Sequence, residues 1–97
     1  MQSILQSKER RCYICGHMQY TEKHHVFHGT ANRKLAEKDG LWVWLCQFCH
    51  RIDRNAVHGP DGHETDLRLK REAQRAWMKH NGKDIRAFVE RYGKNYL

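Results

Sequence analysis

The sequence predicts a small α+β domain, cross-linked at its centre and completed by two C-terminal helices. Three observations lead there. The chain has 97 residues, room for one domain and too few for two. Its four cysteines stand as two tight pairs, Cys12-Tyr-Ile-Cys15 and Cys46-Gln-Phe-Cys49. Bulky, β-leaning runs fill much of the stretch between the pairs, whereas helical periodicity dominates after residue 63. A domain this small buries a modest core and often needs a staple.

The elements follow in chain order. Residues 1–11 read as a basic arm without evident order, and the first cysteine knuckle ends in Gly16. Gln19 to Phe27 leans towards a strand around Tyr20, Thr21, Val26 and Phe27, and His28-Gly29 breaks it. Thr30 can cap a short helix, Ala31 to Lys38, which Asp39-Gly40 terminates. Leu41-Trp42-Val43-Trp44-Leu45 is a continuous bulky run between a Gly and a knuckle, which favours a buried strand. The second knuckle opens into a helix start at His50 to Asn55, and His58-Gly59-Pro60-Asp61-Gly62 is a strong turn signal. Glu64 to His80 then reads as a helix with Leu69, Ala73, Ala76 and Trp77 on one face. Asn81-Gly82 stops it. Asp84 caps a last helix carrying Ile85, Phe88, Val89 and Tyr92, and Gly93 ends that one. The expected organisation is an arm over 1–11, a stapled core over 12–62 and a helical extension over 63–97, packed on the core.

Two intervening residues within each cysteine pair is metal-knuckle spacing, and thirty residues separate the pairs. Cys12, Cys15, Cys46 and Cys49 are therefore expected to hold one structural zinc (Zn2+). Four thiolates close the tetrahedron, so such a site supports the fold and performs no hydrolysis. The alternative, a pair of redox motifs, would want a thioredoxin-like βαβ context that the pattern lacks. No apolar run suits a signal peptide or a membrane span, so a reducing, cytoplasmic setting without membrane association is expected.

The 18 Lys and Arg outnumber the 11 Asp and Glu, for a net charge of +7. That favours a polyanionic partner without naming one. Arg68, Arg71, Arg75 and Lys79 share a face of the long helix and are candidates for phosphate contacts, or form a solvated face. Trp42, Trp44 and Phe48 read as core, not as a base-stacking platform.

Of the eight histidines, His17, His63 and His80 read as solvated. The informative ones lie in His24-His25-Val26-Phe27-His28-Gly29, at His50 directly after Cys49, and at His58 before the turn. Adjacent histidines at a strand end are poor core residues. Phosphodiester hydrolysis needs a base, a cation for the developing charge, and a grip on the backbone. Imidazoles near neutrality supply the first and can ligate the second. His58 is either a further ligand or an exposed turn residue, and His28 either a ligand or a phosphate contact.

CxxC, then HH at a strand end, then an Asn, then LCxxCH resembles the HNH (ββα-metal, treble-clef-like) endonucleases of the zinc-knuckle type. The fuller string HHVFHGTANRK, GLWVWLCQFCH, NAVH and YGKNYL resembles small HNH-like proteins of phages and prophages. The resemblance covers residues 12–58 well and the C-terminal helices loosely. It implies a metal-dependent endonuclease that cuts DNA in the cytoplasm of a bacterial host. His25 would be the general base, with His24 and His50 on a catalytic divalent cation (Mg2+, Mn2+, Ni2+ or Zn2+) and His58 the further candidate ligand. It also implies phage replication or packaging proteins as partners. The family carries its middle Asn just before the LCxxCH strand. Here Leu41 holds that place and Asn32 is the upstream candidate, either orienting the base or serving as a polar residue in a first helical turn. Two other classes compete: a non-catalytic zinc-ribbon nucleic-acid-binding module, and a phage accessory protein that keeps the fold without activity. The binding module has no need of the His24-His25 pair, whereas the sequence separates the accessory protein poorly from an active enzyme.

Overall fold

A computed structural model describes all 97 residues. Strand β1 (Thr21–His25) is followed by helix α1 (Thr30–Asp39) and strand β2 (Trp42–Cys46). A π-helical turn (Phe48–Ile52) leads through a loop to helix α2 (His63–Asn81), and helix α3 (Ile85–Tyr92) completes the order. β1 and β2 form an antiparallel two-stranded sheet in which His25 faces Trp42, His24 faces Val43 and Thr21 faces Cys46. No helix is long and apolar enough to cross a membrane.

Two strands alone do not make a stable sheet, so each needs cover. The core that supplies it joins Val26, Phe27, Leu41, Val43 and Leu45 to Leu69, Ala73 and Trp77 of α2 and Phe88 and Tyr92 of α3. Asp39 ties the three helices together. Its Oδ2 accepts from Trp77 Nε1 at 3.0 Å, Arg91 Nε at 2.6 Å and Tyr92 Oη at 2.7 Å. The C-terminal residues pack back as well. Buried Gln74 donates to Asn95 Oδ1 at 2.8 Å and accepts from the Tyr96 amide at 2.8 Å, while Tyr96 lies 5.4 Å from the Phe27 ring.

The expected order of elements is present, with several local differences. α3 has the expected ends: Asp84 accepts from the Ala87 amide, and Gly93 takes the left-handed conformation. Thr30 is the first residue of α1, and Gly29 occupies the cap without a side-chain hydrogen bond. The second knuckle opens a π-helical turn, Phe48–Ile52, instead of a helix over His50 to Asn55. That turn leaves Phe48 65% exposed, so it is not core, and Ile85 is exposed as well. The strand begins at Trp42, one residue after Leu41.

The N-terminal arm departs most from expectation. It lies along the free edge of β2, where unpaired backbone groups must find partners. Ser3 Oγ donates to the Trp42 carbonyl at 2.6 Å and Gln6 Oε1 accepts from the Trp44 amide at 2.6 Å, and in the knuckle that follows Tyr13 N–H donates to the Trp44 carbonyl at 2.8 Å. Gly40, at φ +73°, permits this approach: a Cβ there would collide with the Gln2 carbonyl.

A candidate metal centre beside a basic cleft

The cysteine pairs converge at the Thr21–Cys46 end of the sheet. All four Sγ atoms lie within 4.8 Å of one another, and Cys15 and Cys46 approach to 3.6 Å. A tetrahedron with Zn–S bonds of ~2.3 Å has an edge of about 3.8 Å, so the four cysteines are placed to bind one metal ion, as a structural zinc requires. Burial opposes the Cys12 thiolate, but backbone hydrogen bonds at Cys15, Cys46 and Ile14 outweigh it and lower the thiol to about 7. Burial and the neighbouring thiols push Cys49 upward. A cation removes that conflict by letting all four ionise together.

The histidines gather elsewhere. In a strand successive side chains point to opposite faces, so His24 and His25 part company. His24 is buried, and its ring lies 5.1 Å from His50, 5.3 Å from His58 and 5.4 Å from His28, centre to centre. His24 comes from β1, His50 from the π-helical turn and His58 from the loop after it. A backbone hydrogen bond from His58 N–H to the His50 carbonyl, 3.0 Å, joins those last two. Ligand nitrogens of His24, His50 and His58 lie within 4.8 Å of one another, as do those of His24 and His28 with an Asp66 oxygen.

The His24 Nε2 atom is buried without any hydrogen-bond partner. An unpaired polar atom in such a place costs about 1–3 kcal/mol, and here it sits among three other imidazoles. Burial first, then the proximity of His50, His28 and His58, lowers His24 to about 3, so its ring is neutral with a lone pair available. Burial likewise lowers His58. The opposite nitrogen of the His50 ring, Nδ1, contacts Glu22 Oε1 at 2.8 Å, leaving Nε2 for a ligand. Metal-bound histidines commonly have such a carboxylate behind them. The residues present therefore fit a divalent cation.

His25 lies on the other side of the pleat. Its Nε2 is 2.9 Å from Glu37 Oε1, and Lys23 Nζ reaches the same oxygen at 3.2 Å. The side chain is largely shielded, with 14% exposed. The two faces still meet in one cleft of about 310 Å³, whose walls include His24, His25, His50, His58, Arg33 and Arg51.

His24, His50 and His58 thus come together and His25 stands next to them, while Asn32 does not join the site. Its Nδ2 donates to the Tyr92 carbonyl at 3.2 Å, which fastens α1 to the end of α3. His17, His63 and His80 are exposed. The sequence pattern did not single out the carboxylates: Glu22 behind His50, Glu37 behind His25, and Asp66, which meets His28 at 3.3 Å and Lys70 at 2.7 Å. Glu22 offered one signal, being two residues before His24 on the same strand face. Glu37 and Asp66 offered none. On α2, Arg68 pairs with Glu72 at 3.3 Å and Arg71 donates to the Tyr96 carbonyl at 3.0 Å, leaving Arg75 and Lys79.

No protein-family model, no curated protein and no solved structure matches the chain.

Proposed function

We propose that this protein is a metal-dependent endonuclease of the HNH type that hydrolyses phosphodiester bonds in DNA, with β1, β2 and the turn after the second knuckle as its ββα-metal core. The observation that carries this reading is the buried, unpartnered His24 Nε2 amid His28, His50 and His58, one residue from a second histidine paired with a carboxylate. A zinc-ribbon binding module would use the cysteines and the cations, but it has no need of that costly atom. The resemblance in sequence supports the same reading, and it alone supports a phage origin and phage replication or packaging partners.

His24, His50 and His58 would hold the cation, with Glu22 orienting His50. When bound there, a divalent cation supplies Lewis-acid stabilisation of the charge that develops on the phosphate and the departing oxygen. His25 takes the proton from the attacking water. Glu37, accepting from the Nε2–H of His25, selects the tautomer whose Nδ1 carries the lone pair, and Nδ1 has no other partner in the protein. As Nδ1 gains the proton, the Glu37 carboxylate stabilises the imidazolium, as an acid behind a catalytic histidine does. Lys23 restrains Glu37 from the far side. Arg33, on the cleft wall and without a carboxylate partner, neutralises phosphate oxygens.

A plasmid-nicking assay tests this with the zinc-loaded protein, with and without added Mg2+, Mn2+, Ni2+ or Zn2+, beside His25→Ala. Metal-dependent nicking by the wild type that collapses in the variant is expected. Undiminished nicking by His25→Ala would remove the assignment of the base. No cleavage of any DNA by the wild type with any of these metals would move the protein to the binding-module class.

A further inference from the structure

Arg33, Lys34 and Lys38 are exposed on one side of α1. The two acids of that helix are already committed. Glu37 is held by Lys23 and His25, and Asp39 by Arg91, Tyr92 and Trp77. The three cations are therefore left unneutralised within the fold. At a rise of ~1.5 Å per residue they extend about 7.5 Å along the helix axis.

They wall a cleft of about 860 Å³ together with Thr30, Glu37 and His25, and no hydrophobic residue lines it. An apolar ligand would find only the aliphatic stems of charged side chains to pack against. A small anion would find no enclosed pocket of buried donors, only cations spread along an open helix face. An extended polyanion matches both features. This cleft also runs into the histidine cleft, because His25, Gly29 and Arg33 line both. The stripe Arg68, Arg71, Arg75 and Lys79 differs: Arg68 is ion-paired with Glu72, Arg71 donates to the Tyr96 carbonyl, and none of the four lines either cleft.

We infer that the α1 face carrying Arg33, Lys34 and Lys38 is the track on which the sugar-phosphate backbone of DNA lies, with Arg33 at the junction beside the cleavage position. The identity of the polyanion rests on the nuclease reading. The α1 track carries the phosphates flanking the one that is cut, and the α2 stripe contributes little.

The test is equilibrium binding of a fluorescein-labelled DNA duplex across a series of KCl concentrations, with the zinc-loaded full chain in a His25→Ala background so that the duplex is not cut. The triple variant Arg33→Gln, Lys34→Gln, Lys38→Gln should bind at least about tenfold more weakly at 0.1 M salt. Its log K against log salt slope should flatten by about 2.7, or ~0.9 for each phosphate no longer neutralised. Lys34→Arg with Lys38→Arg should restore normal binding, and Arg68→Gln with Arg71→Gln, Arg75→Gln and Lys79→Gln should stay near the parent. The substituted α1 side chains are exposed, and an unchanged thermal melt confirms the fold.

An α1 variant with the parent's affinity and slope would overturn the inference. So would a parent that does not bind the duplex, or one that binds anionic phospholipid vesicles through these residues in place of DNA. Nicking by the wild type, measured separately, tells the two readings apart. Nicking with no role for α1 would sink the track alone. Duplex binding through α1 without nicking under any metal would sink the nuclease reading and leave the track standing.

Discussion

Two clusters of ligand-type side chains hang from the same two-stranded sheet, and they are built in opposite ways. The four cysteines come from two short knuckles, and their sulfurs gather within 4.8 Å of one another, enough thiolates to fill a tetrahedral ion. The four histidines come from β1, the segment after it, the π-helical turn and the next loop, and they open onto a cleft. Cys49 is pushed upward by burial and its neighbouring thiols, a conflict that a shared cation would remove. His50 has its own carboxylate instead, and His24 is left wanting a partner altogether. The lesson is that one cluster is there for the fold and the other is carried by it. Removing a cysteine should damage both clusters, whereas removing a histidine should damage one.

The largest effect follows directly. Cys49→Ser should unfold the domain or leave it molten, because zinc binding by such peptides is worth about 10–16 kcal/mol and that energy is folding energy. Circular dichroism and metal analysis after purification would check this. A folded, zinc-free variant melting like the wild type would break the contrast between the two clusters. Chelation strong enough to remove zinc from the wild type should have the same result as the substitution.

Next in size is the effect on cleavage. His25→Ala should lower the nicking rate by about 10²–10⁴-fold, the usual worth of a positioned base, while the melt, the zinc content and duplex affinity stay close to wild type. His50→Ala should differ in kind. It should keep the cysteine-bound zinc and the fold but lose a second equivalent of metal, measured by equilibrium dialysis with Mn2+ or Ni2+. Loss of the cysteine-bound zinc in His50→Ala would show that the clusters are not separable.

Residues with local consequences were legible in the sequence. Cysteine spacing announced the two knuckles, since ligands with two residues between them meet whatever the rest of the chain does. Asp84 and Gly93 announced α3, because a cap acts within one turn. What escaped depends on distant partners. The arm looks unstructured alone, and its hydrogen bonds reach Trp42 and Trp44 about forty residues away. Asn32 resembles a site residue until its partner, the Tyr92 carbonyl, is known. Phe48 reads as core because its exposure follows from the irregular turn that holds it. Charged residues hide best. Glu37 and Asp66 look like ordinary solvated helix positions, and only the fold shows that each stands behind a histidine.

The smallest expected effect probes that hidden layer. Glu22 Oε1 meets both His50 Nδ1, at 2.8 Å, and Arg51 Nε, at 3.0 Å, and these contacts, led by the one to His50, hold its carboxyl below the usual range. Two things could matter to a ligand histidine: a fixed ring orientation, and the negative charge that makes its other nitrogen more basic. Glu22→Gln keeps an oxygen that can accept from Nδ1–H and removes the charge. Glu22→Ala removes both. Absence of such a partner commonly weakens metal binding by about 10–100-fold, so Glu22→Gln should fall near the lower figure and Glu22→Ala near the upper. Titration of zinc-loaded protein with Ni2+ would measure both, and the bound zinc serves as the internal control because Glu22 supports no cysteine. Equal weakening in the two variants would mean that charge alone matters, and no weakening in either would detach Glu22 from the metal site. A parallel loss of zinc would mean that the two clusters share their support, against the contrast drawn between them.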